Sequence, residues 1–190
     1  MKPAPRTPGL MAYGLALAAL EPLAPALLRA RARRGKEDAE RLDERLGRPQ
    51  ALRPPGEVVW LHGVSVGESV SLLPLAEALR ARRPDLTLLV TSGTRTAAEL
   101  LARRLPDGVI HQYAPVDGPR AVAGFLDHWR PASGVLVESE LWPNLITAAA
   151  ERGVRLALVS ARMTQKSADG WARAPAAARA LLGRFDLILP

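Results

Sequence analysis

The chain has 190 residues, which is enough for one sizeable domain with an apolar core and an additional terminal segment. Lys and Arg number 26 against 19 Asp and Glu, and the resulting formal charge of +7 favours anionic partners such as phosphorylated ligands, nucleic acid or an acidic membrane surface. Cysteine is absent and the three histidines lack metal-ligand spacing, which excludes disulfides and thiolate sites and disfavours a zinc enzyme.

An apolar segment lies at the amino terminus. Residues 10–28 are almost wholly apolar, but Glu21, Pro22 and Pro25 interrupt them, and the two prolines are expected to break any single helix. Positive charge directly beyond an apolar helix is typical of the cytoplasmic side of a membrane. The basic residues here are Arg29, Arg31, Arg33, Arg34 and Lys36. We expect an interfacial or anchoring membrane helix; a buried structural helix and a secretory signal are the alternatives.

A charged stretch follows, and it ends at Leu46-Gly47 in the manner of a helix closed by a C-terminal glycine. Prolines 49, 54 and 55 then mark a linker. The predicted organisation is a membrane-associated apolar helix plus a charged helix over residues 1–48, a linker over 49–56 and the main domain over 57–190.

The main domain alternates short aliphatic runs with longer helical stretches. Strands are predicted at 58–61, 86–90, 109–113, 134–137, 154–159 and 185–189, and helices at about 69–83, up to 104, at 120–129, 144–152 and 172–182. This alternation predicts an α/β fold, a Rossmann-like doubly wound parallel sheet with helices on both faces.

Polar turns follow five of the predicted strands. They lie at residues 65–68, 91–94, 115–117, 138–140 and 160–162. The carboxyl ends of parallel strands meet at one edge, which is where open α/β sheets bind ligands. The sequence therefore predicts a binding site at this edge.

Glu68 is the candidate catalytic residue of the first turn. Gly63 and Gly67 bracket this turn, which matches neither a GxGxxG fingerprint nor a Walker loop. A carboxylate directed into a cleft can act as a general base. The alternative is that the charge of Glu68 stabilises the helix N-terminus, by about 0.3–1 kcal/mol.

Glu138 and Glu140 are the candidate acidic residues of the fourth turn. If the strand continues through them, they point to opposite sides, so one of them faces the cleft. Burial of an unpaired carboxylate costs several kcal/mol, which favours a role in the site. The other carboxylate is then expected to pair with an arginine or to cap the following helix.

The second and fifth turns carry candidate anion contacts. Thr91, Ser92 and Thr94 either bind an anion through hydroxyls and amides or serve in ordinary helix capping. Arg162 and Lys166 either meet phosphate or carboxylate groups or are solvated.

Two further polar residues are predicted to be structural. His62 lies in or next to a buried strand and is expected to be a hydrogen-bonded core histidine. Asp117 precedes Gly118-Pro119, which is typical of the N-cap of the following helix.

Seven short segments resemble, in order, the Kdo transferases, which are 3-deoxy-D-manno-octulosonic acid transferases of lipopolysaccharide biosynthesis. The segments are residues 44–47 (ERLG), 60–68 (WLHGVSVGE), 91–94 (TSGT), 115–117 (PVD), 125–126 (FL), 138–144 (ESELWPN) and 161–162 (AR). They extend over almost the whole chain.

The resemblance implies a GT-B glycosyltransferase, with two Rossmann-like domains that face each other across a cleft. This chain resembles the amino-terminal acceptor half, and the donor-binding domain is absent from it, so we expect it to be inactive alone. The implied reaction transfers Kdo from CMP-Kdo to a lipid A precursor with inversion, without a metal ion or other cofactor. The implied location is the cytoplasmic face of the bacterial inner membrane.

The resemblance also assigns roles to individual residues. Glu68 matches the family's proposed general base, Glu138 or Glu140 would be the second acidic residue, and Arg162 would contact an anion. Ser65 and Gly67 of the same turn, with Thr91, Ser92 and Thr94, complete the expected substrate-binding set.

One departure and three rival functions accompany the resemblance. Ser160 stands where the family usually has Asn, which removes an amide donor. The rivals are a non-catalytic Rossmann-like binding module for an anionic lipid or nucleotide, a GT-B transferase that uses a UDP-sugar, and a nucleic-acid-binding protein. The last is disfavoured because aromatic residues are few and no recognition motif is present, so no nucleic-acid partner is expected.

Overall fold

The computed structural model describes residues 6–138 and 141–190. The helices are α1 (Pro8–Leu20), α2 (Ala24–Ala32), α3 (Leu42–Arg45), α4 (Val66–Arg82), α5 (Arg95–Arg104), α6 (Pro119–Trp129), α7 (Pro143–Glu151), α8 (Gln165–Ala172) and α9 (Pro175–Leu182), with 3₁₀ turns at Glu21–Leu23 and Ala39–Arg41. The strands are β1 (Val58–His62), β2 (Thr87–Ser92), β3 (Ile110–Tyr113), β4 (Ser133–Val137), β5 (Arg155–Val159) and β6 (Leu187–Ile188).

The six strands form one parallel sheet in the order β3-β2-β1-β4-β5-β6. In register, Leu61 of β1 lies opposite Val90 of β2 and Val135 of β4. The order reverses between β1 and β4, and this point is where ligands bind in doubly wound sheets. The predicted α/β fold class is confirmed.

Apolar cores cover both faces of the sheet. On one face Trp60 packs with Phe125 of α6, whose ring lies 5.5 Å away edge-on. On the other face Leu61 packs with Leu72 of α4 and Leu101 of α5. Successive strand residues point to opposite faces, so the adjacent Trp60 and Leu61 serve different cores. Strands buried on both sides account for the continuous apolar runs in the sequence.

Three features differ most from the sequence expectation. The helix predicted at 172–182 is α9, which starts at Pro175 because proline disfavours helical geometry in the residue before it, and helix α8 was not predicted. Strand β6 has two residues instead of five. Helix α4 starts at Val66, three residues earlier than predicted, because Ser65 caps it.

The amino-terminal segment is one helical stretch, residues 8–32, that is long and apolar enough to cross a membrane by length and composition. The α-helix is interrupted by a 3₁₀ turn at Glu21–Leu23, as the prolines predict, but the chain stays helical through this turn. Only 6% of its apolar window is buried, which overturns the alternative of a buried structural helix. A secretory signal remains an alternative, because it meets the same criterion.

A narrow face of this stretch contacts the domain, and α1 packs against α6, α7 and α9. Its buried or half-buried positions include a series spaced four and three residues apart, which places them on one helical face. The series is Leu10, Gly14, Leu17, Glu21, Ala24 and Leu28. A side chain at position 14 would place its Cβ 3.2 Å from Asn144 Oδ1, so the glycine permits close approach of α1 to α7.

Residues 37–47 form a 3₁₀ turn and the short helix α3, shorter than the predicted charged helix. Gly47 has a φ of +73°, and a Cβ there would lie 2.0 Å from the Ala121 carbonyl oxygen, so glycine is required. The predicted linker, 49–56, contains no helix or strand, and Arg53 Nε donates to the Trp129 carbonyl at 2.8 Å. The proposed domain boundary stays a prediction.

Candidate active site

The strand order places two acidic turns beside each other. The β1–α4 turn carries Glu68 and the β4–α7 segment carries Glu138, and β1 and β4 are neighbours at the point where the order reverses. Helix α4 belongs to one face of the sheet and α7 to the other, so their N-termini lie on either side of this edge, which is the position where doubly wound sheets bind ligands.

Glu68 is held by the turn that precedes it. The Val64 amide donates to Oε2 at 2.8 Å and the Ser65 amide to Oε1 at 3.2 Å, while the Glu68 amide donates to Ser65 Oγ at 3.3 Å. These bonds form a capping box, and Glu68 is 4% exposed. Glu68 therefore has the helix-stabilising role that the sequence left as an alternative. Each carboxylate oxygen has a further lone pair, so the group can still accept a proton.

The other predicted residues of this turn have separate positions. Ser65 is the N-cap of α4, and its hydroxyl is engaged by the Glu68 amide. Gly67 is exposed in the first turn of the helix. Because Gly67 is exposed, the first turn of α4 is open to a ligand. The positive end of the helix dipole at this turn favours an anion.

Glu138 ends β4 in an unusual backbone conformation. Its φ is +59°, its amide donates to the Val159 carbonyl at 3.1 Å, and its side chain is exposed. Because β4 ends at Val137, the premise that the strand continues through Glu138 is wrong. A non-glycine residue at positive φ stores strain, and such residues cluster at functional sites. The other predicted acidic residue, Glu140, lies outside the described residues.

The β5 end adds a basic group. Val137 and Val159 are paired in register, so Glu138 and Ser160 occupy equivalent positions on neighbouring strands, and Ser160 also has a positive φ of +50°. Arg162 follows and is exposed; within residues 6–138 and 141–190 it has no hydrogen bond or ion pair. Glu68, Glu138 and Arg162 thus follow the carboxyl ends of three neighbouring strands, β1, β4 and β5.

The two hydroxyls at the carboxyl end of β2 face the protein interior instead. Thr91 Oγ1 accepts a bond from Trp60 Nε1 at 2.8 Å and lies 2.8 Å from His62 Nδ1. Ser92 Oγ lies 2.9 Å from His111 Nε2. Both residues are fully buried. Ligand binding through these two hydroxyls is not supported, because the core already uses them.

Thr94 has the structural role that the sequence left as an alternative. It is the N-cap of α5, and its Oγ1 accepts a bond from the Ala97 amide at 3.2 Å. Its side chain is half-buried at the sheet edge, so the prediction that it also contacts substrate stays a prediction.

Two histidines, the buried His62 and the half-buried His111, are held neutral. Burial and the charge of Arg45 lower the pKa of His62 to about 4, and burial and the charge of Arg41 lower the pKa of His111 to about 3. His62 is fully buried, and the prediction of a hydrogen-bonded core histidine is confirmed.

Asp117 caps a different helix from the one predicted. It accepts bonds from the Asn144 amide at 3.1 Å and the Leu145 amide at 2.8 Å, both in the first turn of α7. The N-terminus of α6 is capped instead by Glu21, which accepts from the amides of Arg120 and Ala121 at 3.0 and 2.7 Å. Both pairings join residues far apart in sequence, so local spacing contained no signal for either.

Among the described residues, no group of three His, Cys, Asp or Glu side chains is arranged to hold a metal ion. The chemistry available at this edge is that of a fixed carboxylate, an exposed carboxylate and an exposed guanidinium.

The fold is that of a Rossmann-like α/β domain, with polar residues at the topological switch point of its sheet. The chain matches the family model described as 3-deoxy-D-manno-octulosonic-acid transferase (kdotransferase) over residues 40–190, and it belongs to this family. The resemblance inferred from the sequence motifs is confirmed.

Named relatives agree with this assignment. The chain is 42% identical over 174 residues to a protein of Arabidopsis thaliana named probable 3-deoxy-D-manno-octulosonic acid transferase, mitochondrial. The matched region covers 90% of this chain and 39% of that protein. It is 39% identical to the 3-deoxy-D-manno-octulosonic acid transferase of Rickettsia bellii over 72% of this chain and 32% of that protein. The transferase of Haemophilus influenzae is 31% identical over 78% of this chain and 35% of that protein. The chain therefore spans about two fifths or less of the length of these relatives.

Proposed function

We propose that this chain is the acceptor-side domain of a glycosyltransferase that transfers Kdo from CMP-Kdo to a lipid A precursor in lipopolysaccharide synthesis. Membership of the transferase family supports the reaction class. The observation that carries the proposal is the position of Glu68, a fixed carboxylate at the switch point of the sheet. The donor is bound mainly by a second Rossmann-like domain of the GT-B fold.

Glu68 acts as the general base. A glucosamine hydroxyl of the acceptor attacks the anomeric carbon of Kdo and gives its proton to Glu68. The new C–O bond forms as the bond to the CMP phosphate breaks on the opposite face, which inverts the anomeric centre. The two backbone amides that bond Glu68 fix the direction of its carboxylate, which favours proton acceptance in one geometry.

Glu138 and Arg162 bind substrate groups beside the base. An exposed carboxylate can accept bonds from sugar hydroxyls, and an exposed guanidinium can hold a phosphate or carboxylate by paired donors. Neither residue is committed to an ion pair within the described part of the chain, which leaves both groups available for substrate.

The amino-terminal stretch attaches the domain to the cytoplasmic face of the bacterial inner membrane. Leu15, Leu23 and Leu27 are 71%, 63% and 62% exposed, and they form an apolar surface that a lipid phase would cover. The cluster of basic residues at the end of α2 favours anionic lipid head groups. A phosphorylated, acylated acceptor suits a site beside such a surface.

The test is transfer of labelled Kdo from CMP-Kdo to a lipid A precursor. Residues 1–190 are compared with the same chain joined to the donor-binding domain of a longer relative, each with and without Glu68→Gln. We expect transfer only in the joined form, and a loss of about 10²–10⁴-fold with Glu68→Gln. Glu77→Gln, on the exposed side of the same helix, is the matched control and is expected to leave the rate unchanged. A Glu68→Gln form as fast as the control would remove the base role and keep the family.

The second candidate is a non-catalytic module that binds an anionic lipid or nucleotide. The capping box favours it, because both oxygens of Glu68 already serve the backbone. A folded joined form that binds CMP or an anionic lipid but transfers no Kdo would support this candidate, and Glu68→Ala would then leave binding intact.

A further inference from the structure

Three parts of the chain meet at the carboxylate of Asp117. Tyr13 of α1 donates its hydroxyl to Oδ2 at 3.0 Å, and the same oxygen accepts the Asn144 amide at 3.1 Å. Oδ1 accepts the Leu145 amide at 2.8 Å. Asp117 is 6% exposed, so these three donors come from the protein and replace water around a buried charge. The carboxylate therefore links α1, the β3–α6 loop and the first turn of α7.

Asn144 is fixed from two further directions. Its side-chain amide donates to the Asp117 carbonyl at 2.6 Å. The backbone of α1 approaches its Oδ1 closely at Gly14, where an added Cβ would lie 3.2 Å away. The first turn of α7 is thus held against both α1 and the loop, and its position depends on how α1 is docked.

A second carboxylate supports the same docking. Glu21, at the 3₁₀ turn of the amino-terminal stretch, caps α6 through the amides of Arg120 and Ala121. A Cβ at Gly118 would lie 2.5 Å from Glu21 Oε1, so the loop is adapted to receive this side chain. Both helices that begin beside α1 are therefore capped by carboxylates at its interface with the domain.

We infer that Asp117 is a positioning residue through which the docked α1 sets the N-terminus of α7 and, with it, Glu138 and Trp142 at the switch point. The β4–α7 segment that carries these two residues has one end at β4 and the other at this first turn. A displacement of α7 moves Trp142, the N-cap at the second end, directly, and it acts on Glu138, at the first end, through the chain that joins them. The meaning of this positioning for catalysis rests on the proposed function, whereas the positioning itself does not. Burial raises the pKa of Asp117 to about 6, against the lowering effect of its three donors, so the buried charge depends on their presence.

The experiment is NMR on the ¹⁵N-labelled 190-residue chain with the variants Tyr13→Phe, Asp117→Ala and Asp117→Asn. It records amide exchange at Asn144 and Leu145 and the chemical shifts of the Glu138 amide and the Trp142 indole. Tyr113→Phe is the matched control, because Tyr13 and Tyr113 are the two tyrosines of the chain. Denaturant unfolding of each sample separates local opening from a loss of global stability.

We expect exchange at Asn144 and Leu145 to rise about tenfold in Asp117→Ala and about threefold in Tyr13→Phe. Asp117→Asn keeps one acceptor and is expected to lie between Asp117→Ala and the unaltered chain. All three variants shift the Glu138 and Trp142 signals, and the control does not. Faster exchange with unchanged Glu138 and Trp142 signals would reduce Asp117 to a local cap and overturn the inference.

An unaltered spectrum in Tyr13→Phe would show that α1 does not act through Asp117 and would also overturn it. Tyr13→Phe removes one oxygen atom at a partly exposed position, so this variant carries the test if the Asp117 variants fail to fold. None of the readouts uses sugar transfer. A failure of the proposed function therefore leaves the positioning result interpretable, and a failure of positioning leaves the assignment of Glu68 untouched.

Discussion

The two turns at the switch point are built in different ways. The β1–α4 turn is self-contained, because Ser65 and Glu68 cap the helix through bonds that reach no further than four residues along the chain. The β4–α7 segment ends at a helix whose cap, Asp117, comes from another loop and is itself bonded to α1. The candidate base is thus fixed locally, whereas the helix that follows the second acidic turn has its start fixed by tertiary contacts.

This difference separates two kinds of vulnerability. A local capping box persists wherever the helix forms, so the β1–α4 turn depends on the core beneath it and on nothing at the amino terminus. The β4–α7 segment depends on the docking of a largely exposed apolar helix. We expect changes at the amino-terminal stretch to alter the start of α7 and to leave the β1–α4 turn in place.

Acidification gives the largest expected effect on the free energy of unfolding. It acts through His62, at the end of the strand that precedes the β1–α4 turn. The pKa of His62 is lowered from 6.5 to about 4 in the folded chain, so the unfolded chain binds the proton more tightly between these values. Stability is therefore fully present above about pH 6.5 and falls as pH decreases toward 4, by about 3 kcal/mol in total.

The measurement is the free energy of unfolding between pH 7.5 and 4 for the unaltered chain and for His62→Gln. The buried neutral histidine gives the unaltered chain the steeper decline. His111 and Asp117 titrate in both proteins, so the difference between the two curves isolates His62. Parallel curves would contradict a histidine that is buried and neutral.

Removal of the long-range cap comes next. Asp117→Ala leaves the amides of Asn144 and Leu145 and the hydroxyl of Tyr13 without their acceptor, and we expect a loss of about 2 kcal/mol in the free energy of unfolding. Ser65→Ala removes one acceptor from the local box and is expected to cost about 1 kcal/mol.

Deletion of residues 1–32 sharpens this comparison when it is combined with the two substitutions. Without α1, the cost of Asp117→Ala should shrink because Tyr13 is gone, and the cost of Ser65→Ala should stay the same. Equal shrinkage of both costs would mean that the two turns are not independent.

The smallest expected effect concerns the strained strand ends. Ser160 has a φ of +50°, a region that asparagine adopts more readily than serine. We expect Ser160→Asn to raise the free energy of unfolding by about 0.5 kcal/mol. Ser167→Asn, in the first turn of α8, is the control and should give no gain. A lower free energy of unfolding in Ser160→Asn would contradict the expectation that the positive φ at position 160 favours asparagine.

Hydrophobic period and motif spacing predicted much of the fold and of the candidate site. The alternation of aliphatic and helical stretches predicted a parallel sheet with helices on both faces, because parallel strands are covered on both sides. The turn around Glu68 was recognised because its residues are neighbours in sequence. The positions of His62 and Arg162 relative to their predicted strands likewise predicted a core histidine and an arginine at the sheet edge.

The inward direction of Thr91 and Ser92 was not predicted. The sequence placed both residues in an anion-binding turn after a buried strand. They are instead the last two residues of β2; the Thr91 hydroxyl accepts a bond from Trp60, and the Ser92 hydroxyl lies beside His111 in the interior. A strand covered on both faces offers polar partners on either side, and residue type alone does not show which partners are present.

The sequence by itself determined those features that depend on residues within about four positions of one another: the helices, the strands, the capping box and the family motifs. Tertiary structure decided that β1 and β4 are neighbours, which places the turn that carries Glu68 next to the strand end that carries Glu138. It also decided that Glu21 caps α6 and that Asp117 caps α7, across 99 and 27 residues of chain. The physical reason is that the free amides of a helix N-terminus donate to any carboxylate within reach. Only the packed sheet and the docked helix determine which carboxylate that is.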